Sequence, residues 1–179
     1  MKNIFLFGAL LITLVGNAQT KMITKTGKIT FEASVPAFEE VKAKNENVTC
    51  ILNPQTGEMA SLALMKSFRF KVALMEEHFN ENYIESDKYP KGTFKGKIEN
   101  FDISKLTTTA KDFTIIGKLE LHGKSKQISI PAKIKKTKEG IEIISSFEVN
   151  TDDFNIEIPS VVSKKVAKKV AVTLNFLLN

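Results

Sequence analysis

Residues 75–94 read MEEHFNENYIESDKYPKGTF, and two local patterns meet within them. From residue 75 to about Tyr83 the apolar side chains recur at helical spacing, which predicts a short aromatic helix. The Tyr89-Pro90 pair ends this helix, because a proline holds the preceding residue in an extended conformation. From Thr93 the apolar residues alternate with lysines, which predicts a strand. A helix, a Tyr-Pro corner and a strand therefore follow one another without a linker.

Alternation of apolar and polar residues continues through most of the chain and is typical of half-buried antiparallel strands. It predicts about eight to ten strands, separated by turns such as the one at Gly123–Lys126. The alternating runs lie at 28–33, 48–52, 58–64, 67–74, 93–98, 113–122, 127–135, 141–149 and 168–178, with a weaker segment at 38–44.

Such a series of hairpins forms either a β-sandwich or a closed up-and-down barrel. Two features favour the barrel. The alternating runs at the two ends of the chain can pair and remove the sheet edges, and the inward positions are rich in phenylalanine. We therefore predict an all-β fold, an antiparallel β-barrel of about eight strands with one or two short helices.

The first 18 residues have the features of a secretory signal peptide. Lys2 provides the positive charge, residues 4–15 the apolar core, and Gly16-Asn17-Ala18 a small-residue cleavage site. No cysteine follows that site to carry a lipid anchor. We expect residues 1–18 to be removed and residues 19–179 to form one domain that is periplasmic or secreted.

The formal net charge is +6, and most lysines fall on outward strand positions, where they keep a protein soluble. An exported basic protein meets anionic lipid headgroups or cell-wall polymers before it meets nucleic acid. We therefore predict no nucleic-acid partner and allow for peripheral contact with a membrane. The oligomeric state is left open between monomer and homodimer.

Catalytic and metal-binding patterns are weak in this chain. His122 stands at a strand end, where an imidazole more often stabilises a turn by hydrogen bonding than acts as a base. His78 and Glu81 form a single potential ligand pair, whereas zinc requires three or four ligands. Cys50 is the only cysteine, so no disulfide is expected within the chain. We predict no catalytic residue, no metal site and no cofactor.

Three stretches resemble the YceI-like, polyisoprenoid-binding family. They are HFNENYIESDKYPKGTFKGKI from residue 78, the hairpin GKLELHGKSK at 117–126, and FEVNTDDFNI at 147–156. Ser125 replaces the usual threonine, and Asn155 replaces a glycine. The segment KTGKITF at 25–31 also stands where the family has an Asp and a His-Ser pair. The resemblance covers about residues 29–176 and indicates a divergent branch of the family.

This resemblance implies a lipocalin-like barrel that holds an isoprenoid or other amphiphilic lipid inside it. The residues it implies as lining are Phe31, Phe68, Phe70, Leu74, Phe94, Ile98, Phe113, Ile115, Phe147 and Phe176. His78, Phe79, Asn82 and Tyr83 on the helix would cover the ligand and face its headgroup.

Two other interpretations remain open at this stage. Without the resemblance, the same inward side chains favour a solidly filled barrel, because small barrels are often packed solid. Such a protein would act on the cell envelope or on a partner through a basic surface, for which Lys164-Lys165 and Lys168-Lys169 are the candidates. An enzyme that uses the two histidines is the third hypothesis.

Overall fold

Nine β-strands make up most of residues 21–179, the part of the chain that the computed structural model describes. The signal peptide predicted at 1–18 lies outside these residues. The strands are β1 (Met22–Ser34), β2 (Lys42–Leu52), β3 (Glu58–Leu64), β4 (Arg69–Phe70), β5 (Lys91–Ile98), β6 (Lys111–Leu121), β7 (Lys124–Lys136), β8 (Ile141–Asn150) and β9 (Val166–Leu178).

One short helix, α1 (Ala73–His78), continues into a π-helical turn at Phe79–Tyr83, and we call residues 73–83 the helical segment. Short 3₁₀ turns lie at Met65–Ser67, Ile103–Lys105 and Thr151–Phe154. Within residues 21–179, no helix is long and apolar enough to cross a membrane.

The strands close into a barrel because β1 pairs with both β2 and β9. Every pairing is antiparallel, and eight strands form the wall, with β3 bonded directly to β5. The two-residue β4 pairs only with the start of β2, beside the wall. The structure confirms the predicted antiparallel barrel, and the pairing of the first and last strands excludes the sandwich.

The predicted strand at 67–74 is wrong over most of its length. Only Arg69 and Phe70 are extended in a ladder, and the chain turns into α1 at Ala73. The Glu76 carboxylate accepts hydrogen bonds from the Arg69 guanidinium (2.8 Å) and from the Phe70 backbone N–H (3.1 Å). These bonds fold the first turn of the helix back onto the end of β4. Leu74 therefore lies on the exposed side of a helix and not on the inner face of a strand.

The two ends of the barrel differ. At the closed end, where residues 53–57, 99–110 and 137–140 connect the strands, buried apolar side chains occupy the interior. The fully buried residues there include Val48, Cys50, Leu52, Ile98, Ile134, Ile143 and Leu178. At the open end, residues 35–41, 65–90, 122–123 and 151–165 connect the strands and surround a cavity.

Candidate lipid-binding cavity

The open half of the barrel encloses a cavity of about 390 Å³. Small-molecule sites in proteins usually measure roughly 300–1,000 Å³, so this volume suits a ligand. The cavity walls are formed by inward side chains of β1, β3 and β5 to β9, together with the helical segment and residues 156–162. Nearly all of these side chains are apolar. The barrel is therefore solid in one half and hollow in the other.

Ten of the fourteen predicted ligand-binding residues line this cavity. The structure brings them together from strands, the helical segment and the turn before β4, although ligand contact itself stays a prediction. They are Phe31, Phe68, Phe70, His78, Phe79, Tyr83, Phe94, Ile115, Phe147 and Phe176.

The other four predicted residues lie elsewhere. Leu74 and Asn82 are exposed on the helical segment. Ile98 is fully buried in the closed end, and Phe113 packs there against the Phe101 ring, 6.2 Å between centroids. Ile98 and Phe113 do face inward, as their alternation predicts, but at the wrong height along the barrel axis to meet the cavity.

Four phenylalanine rings hold the helical segment against the barrel. The Phe79 ring lies 5.3 Å from those of Phe31 and Phe70 and 6.0 Å from that of Phe68, measured between centroids. The Phe31 and Phe68 rings are 5.2 Å apart. Tilted and edge-on aromatic pairs of this kind add about 0.5–1.5 kcal/mol each beyond area burial. The helical segment is thus fixed over one side of the cavity by these ring contacts, together with the hydrogen bonds from Arg69 and Phe70 to Glu76.

Phe94 lies against the inner wall over two glycines that face each other across β5 and β6. Gly96 pairs directly with Gly117, and a Cβ atom placed at Gly117 would come within 2.5 Å of Phe94 Cζ. An aromatic ring over strand glycines compensates for their missing side chains. Any larger residue at either position would push the ring toward the cavity. The Phe94 ring therefore depends on this glycine pair for its place in the wall.

Polar groups of the cavity are few, and the charged ones lie at its mouth. Glu39 and Lys165 are exposed there on the 35–41 and 151–165 connections, and His78 is exposed on the helical segment. At the start of the 151–165 connection, the Thr151 hydroxyl lines the cavity and is buried without a hydrogen-bond partner among the described residues. This distribution suits a ligand with an apolar body inside the barrel and a polar end at the mouth.

His122 connects three parts of the open end. With Gly123 it forms the two-residue turn between β6 and β7, and their φ angles of 50° and 70° are those of a type I′ turn. Its Nδ1 lies 3.0 Å from the Phe154 carbonyl oxygen and its Nε2 2.8 Å from Glu85 Oε2. The Tyr89 ring packs edge-on against it, 4.4 Å between centroids. Both ring nitrogens face acceptors, so both donate only when the imidazole carries two protons.

This arrangement corrects the sequence analysis in one detail and supports it in another. The tight turn consists of His122-Gly123 and not of Gly123–Lys126, which already belongs to β7 apart from its first residue. The imidazole is nearly buried and is used for hydrogen bonds that hold the mouth together, as expected of a structural histidine. Among the described residues, no three potential metal ligands lie close enough to hold an ion.

Residues 16–178 match the family model described as the YceI-like domain. The chain belongs to the YceI-like domain family. Three solved structures share its fold at low sequence identity. The first is a polyisoprenoid-binding domain from Saccharophagus degradans implicated in plant cell wall breakdown, with a TM-score of 0.74 and 13% identity, covering 88% of this chain and 95% of that one.

The second is BcnA from Burkholderia cenocepacia, with a TM-score of 0.67 and 14% identity, covering 85% of this chain and 94% of that one. The third is the YCEI protein of Campylobacter jejuni, with a TM-score of 0.59 and 18% identity, covering 81% of this chain and 87% of that one. Among curated proteins, none matches this chain. At these identities the three structures establish the YceI-like fold and nothing further about the ligand.

Sequence reasoning missed several parts of this YceI-like cavity. Ile156, Ile158 and Val162 line it from an irregular connection, where no periodicity indicates which side chain faces inward. Outside the cavity lining, sequence reasoning also missed Asn45, which is fully buried in β2 where the partner of that strand changes from β3 to β4. Its side-chain NH₂ donates to the Leu64 carbonyl at 3.1 Å. A lone polar residue at an inward strand position was the only available signal.

Proposed function

We propose that this YceI-like protein binds a polyisoprenoid or similar amphiphilic lipid and sequesters or carries it inside the barrel. The observation that supports this most directly is the cavity of about 390 Å³, lined almost wholly by apolar side chains and open at one end. The polyisoprenoid-binding description of the Saccharophagus degradans domain points to the same ligand class. The cavity also argues against a completely filled barrel that acts only through its basic surface.

Apolar burial by itself accounts for useful affinity. Each buried CH₂-sized group contributes about 0.8 kcal/mol, so a five-carbon isoprene unit contributes about 4 kcal/mol. Two units inside the cavity then give about 8 kcal/mol, which corresponds to micromolar binding before the cost of association is subtracted. No charged group in the deep cavity is needed. The exposed groups at the mouth then interact with the polar end of the lipid.

The rest of the proposal concerns where the protein works and how. The signal-peptide features at residues 1–18 support export to the periplasm or beyond. We propose a binding protein and not an enzyme, because the deep cavity wall offers apolar side chains and no paired acid and base. The closed barrel can act as a monomer or as a homodimer.

Native mass spectrometry of the mature protein, purified from its own cell envelope, tests the proposal. We expect an adduct of several isoprene units that is lost on denaturation. In Ile128→Trp, where the added ring enters the cavity from β7, we expect the adduct to disappear. Ile116→Trp, on the outward face of β6, is the matched control and should keep it. A bare mass for the natural protein, also after incubation with isoprenoid quinones, would overturn the proposal.

A further inference from the structure

Exposed apolar side chains are concentrated at the open end of the barrel. The four most exposed large hydrophobic residues are Val161 (84%), Leu74 (56%), Phe38 (46%) and Leu64 (44%). Val161 lies on the 151–165 connection, Leu74 on the helical segment and Phe38 on the 35–41 connection, and Leu64 is the last residue of β3. All four positions belong to the open end. The remaining three exposed hydrophobic residues among residues 21–179 lie on the barrel wall or at the closed end, and each is less exposed.

The turn at residues 159–165 belongs both to this surface and to the cavity. Its backbone is held by hydrogen bonds from Val162 N to Pro159 O (3.0 Å) and from Lys165 N to Val162 O (2.8 Å). In this turn Val161 points to solvent, whereas Val162 and Lys165 line the cavity. Val161, the most exposed large hydrophobic residue among residues 21–179, is therefore the direct chain neighbour of Val162, which lines the cavity.

The charges of the open end are unevenly distributed: its connections carry six lysines and arginines against ten aspartates and glutamates, whereas the 159–165 turn carries two lysines and no acid. Its cations Lys66, Arg69, Lys88 and Lys168 each form an ion pair with a carboxylate. Lys164 and Lys165, next to Val161, and Lys71, next to the start of α1, form none with any described residue. Carboxylates without an ion pair among residues 21–179 are also present at this end, namely Glu39, Glu77, Glu81 and Glu157.

We propose that the open end docks on the surface of an anionic lipid bilayer, led by the 159–165 turn. Val161 enters the interface, and Lys164 and Lys165 contact anionic headgroups, which is the combination that binds proteins peripherally to membranes. The unpaired carboxylates lie mainly on the other connections and are repelled by anionic headgroups. The barrel is therefore tilted on the bilayer, with the 159–165 turn closest to the lipid. The mouth of the cavity then faces the bilayer.

A bilayer fits this surface better than a protein partner does. The exposed hydrophobic residues are separate tips on four segments around an opening, whereas a protein interface needs a continuous packed centre. A fluid lipid surface accommodates separate tips. Docking would give the proposed lipid carrier a membrane as its partner. Only the further step, entry of a lipid through the mouth of the cavity, rests on the proposed carrier function.

Binding of the purified protein to vesicles tests the docking. The vesicles contain phosphatidylcholine alone or phosphatidylcholine partly replaced by phosphatidylglycerol, and co-flotation measures the bound fraction. We expect binding to the anionic vesicles that weakens with salt. Val161→Asn should reduce it about tenfold, because burial of a valine side chain is lost. Ile144→Asn, an exposed isoleucine on the wall at β8, is the control and should bind normally.

A second pair of variants separates position from net charge. K164Q/K165Q should weaken binding about 25-fold, since each lysine near an anionic surface contributes about fivefold. K95Q/K97Q removes two exposed lysines from β5 on the barrel wall and should change binding much less. Equal losses from both double variants would show general electrostatic attraction and would overturn the docking, as would no vesicle binding by the natural protein.

The docking and the carrier function fail in distinguishable ways. A lipid adduct in native mass spectrometry without vesicle binding would leave the carrier and remove the docking. Vesicle binding that is lost in Val161→Asn, from a protein that never carries an adduct, would support the docking and remove the carrier.

Discussion

Phe79 is the main contact that holds the helical segment over the cavity, and its removal should loosen that segment selectively. In Phe79→Ala, three aromatic pairs are lost, with the rings of Phe31, Phe68 and Phe70. At about 0.5–1.5 kcal/mol for each pair, the loss is about 1.5–4.5 kcal/mol. No strand of the barrel wall loses a backbone hydrogen bond. We therefore expect the cost to appear mainly as easier local opening of residues 73–83.

Hydrogen exchange measured by mass spectrometry checks this expectation. A local loss of about 1.5–4.5 kcal/mol should speed exchange in peptides from residues 73–83 by roughly 10- to 2,000-fold. Peptides from β7 should exchange as in the natural protein. Leu74→Ala changes an exposed residue of the same helix and should shift exchange by about 0.5 kcal/mol at most. Similar exchange in the two variants, or uniform acceleration across the barrel, would refute the assignment of Phe79 as the anchor.

Three further predictions concern single residues. Gly117→Ala should lower the free energy of unfolding in urea by about 1–3 kcal/mol, because the new methyl group meets Phe94 and the β5 backbone; a change near zero would count against that close packing. Burial raises the pKa of the Cys50 thiol to about 12, so the folded protein should not react with a thiol reagent at mildly alkaline pH until it is unfolded; rapid reaction would contradict the burial. His122→Asn should cost about 1–3 kcal/mol in thermal unfolding, since a carbonyl loses its donor, whereas Glu85→Gln should cost less because that side chain is well exposed; equal costs would contradict this assignment.

The direction in which strand side chains point was predictable from the sequence. In β7, for example, Ile128, Ile130, Ala132 and Ile134 were predicted to face inward, and all four are buried or half-buried in the barrel. Period-two alternation carries this information because successive strand residues point to opposite faces. The strand predicted from Thr93 was readable for an equally local reason and begins at Lys91, whereas the helical segment already ends at Tyr83, before the Tyr89-Pro90 pair.

The local sequence did not separate strand from helix at residues 67–74. Alternation of Phe68, Phe70, Val72 and Leu74 predicted a strand through to the last of these residues. The deciding interaction is the hydrogen bonding of Glu76 to the end of β4, which joins residues six and seven positions apart. Side-chain hydrogen bonds of this kind override the alternation of apolar residues, and they removed Leu74 from the predicted site.

The tertiary structure alone decided which inward residues meet the cavity. Phe94 and Ile98 lie on one face of β5, four residues or about 13 Å apart along the strand, yet the first lines the cavity and the second belongs to the solid closed end. The sequence determined that both face inward, since that depends only on the alternation of a strand. Their height along the barrel axis relative to the cavity depends on the register of eight strands and on where the connections cover or leave the opening. These are properties of the whole closed barrel, and no single stretch of the chain contains them.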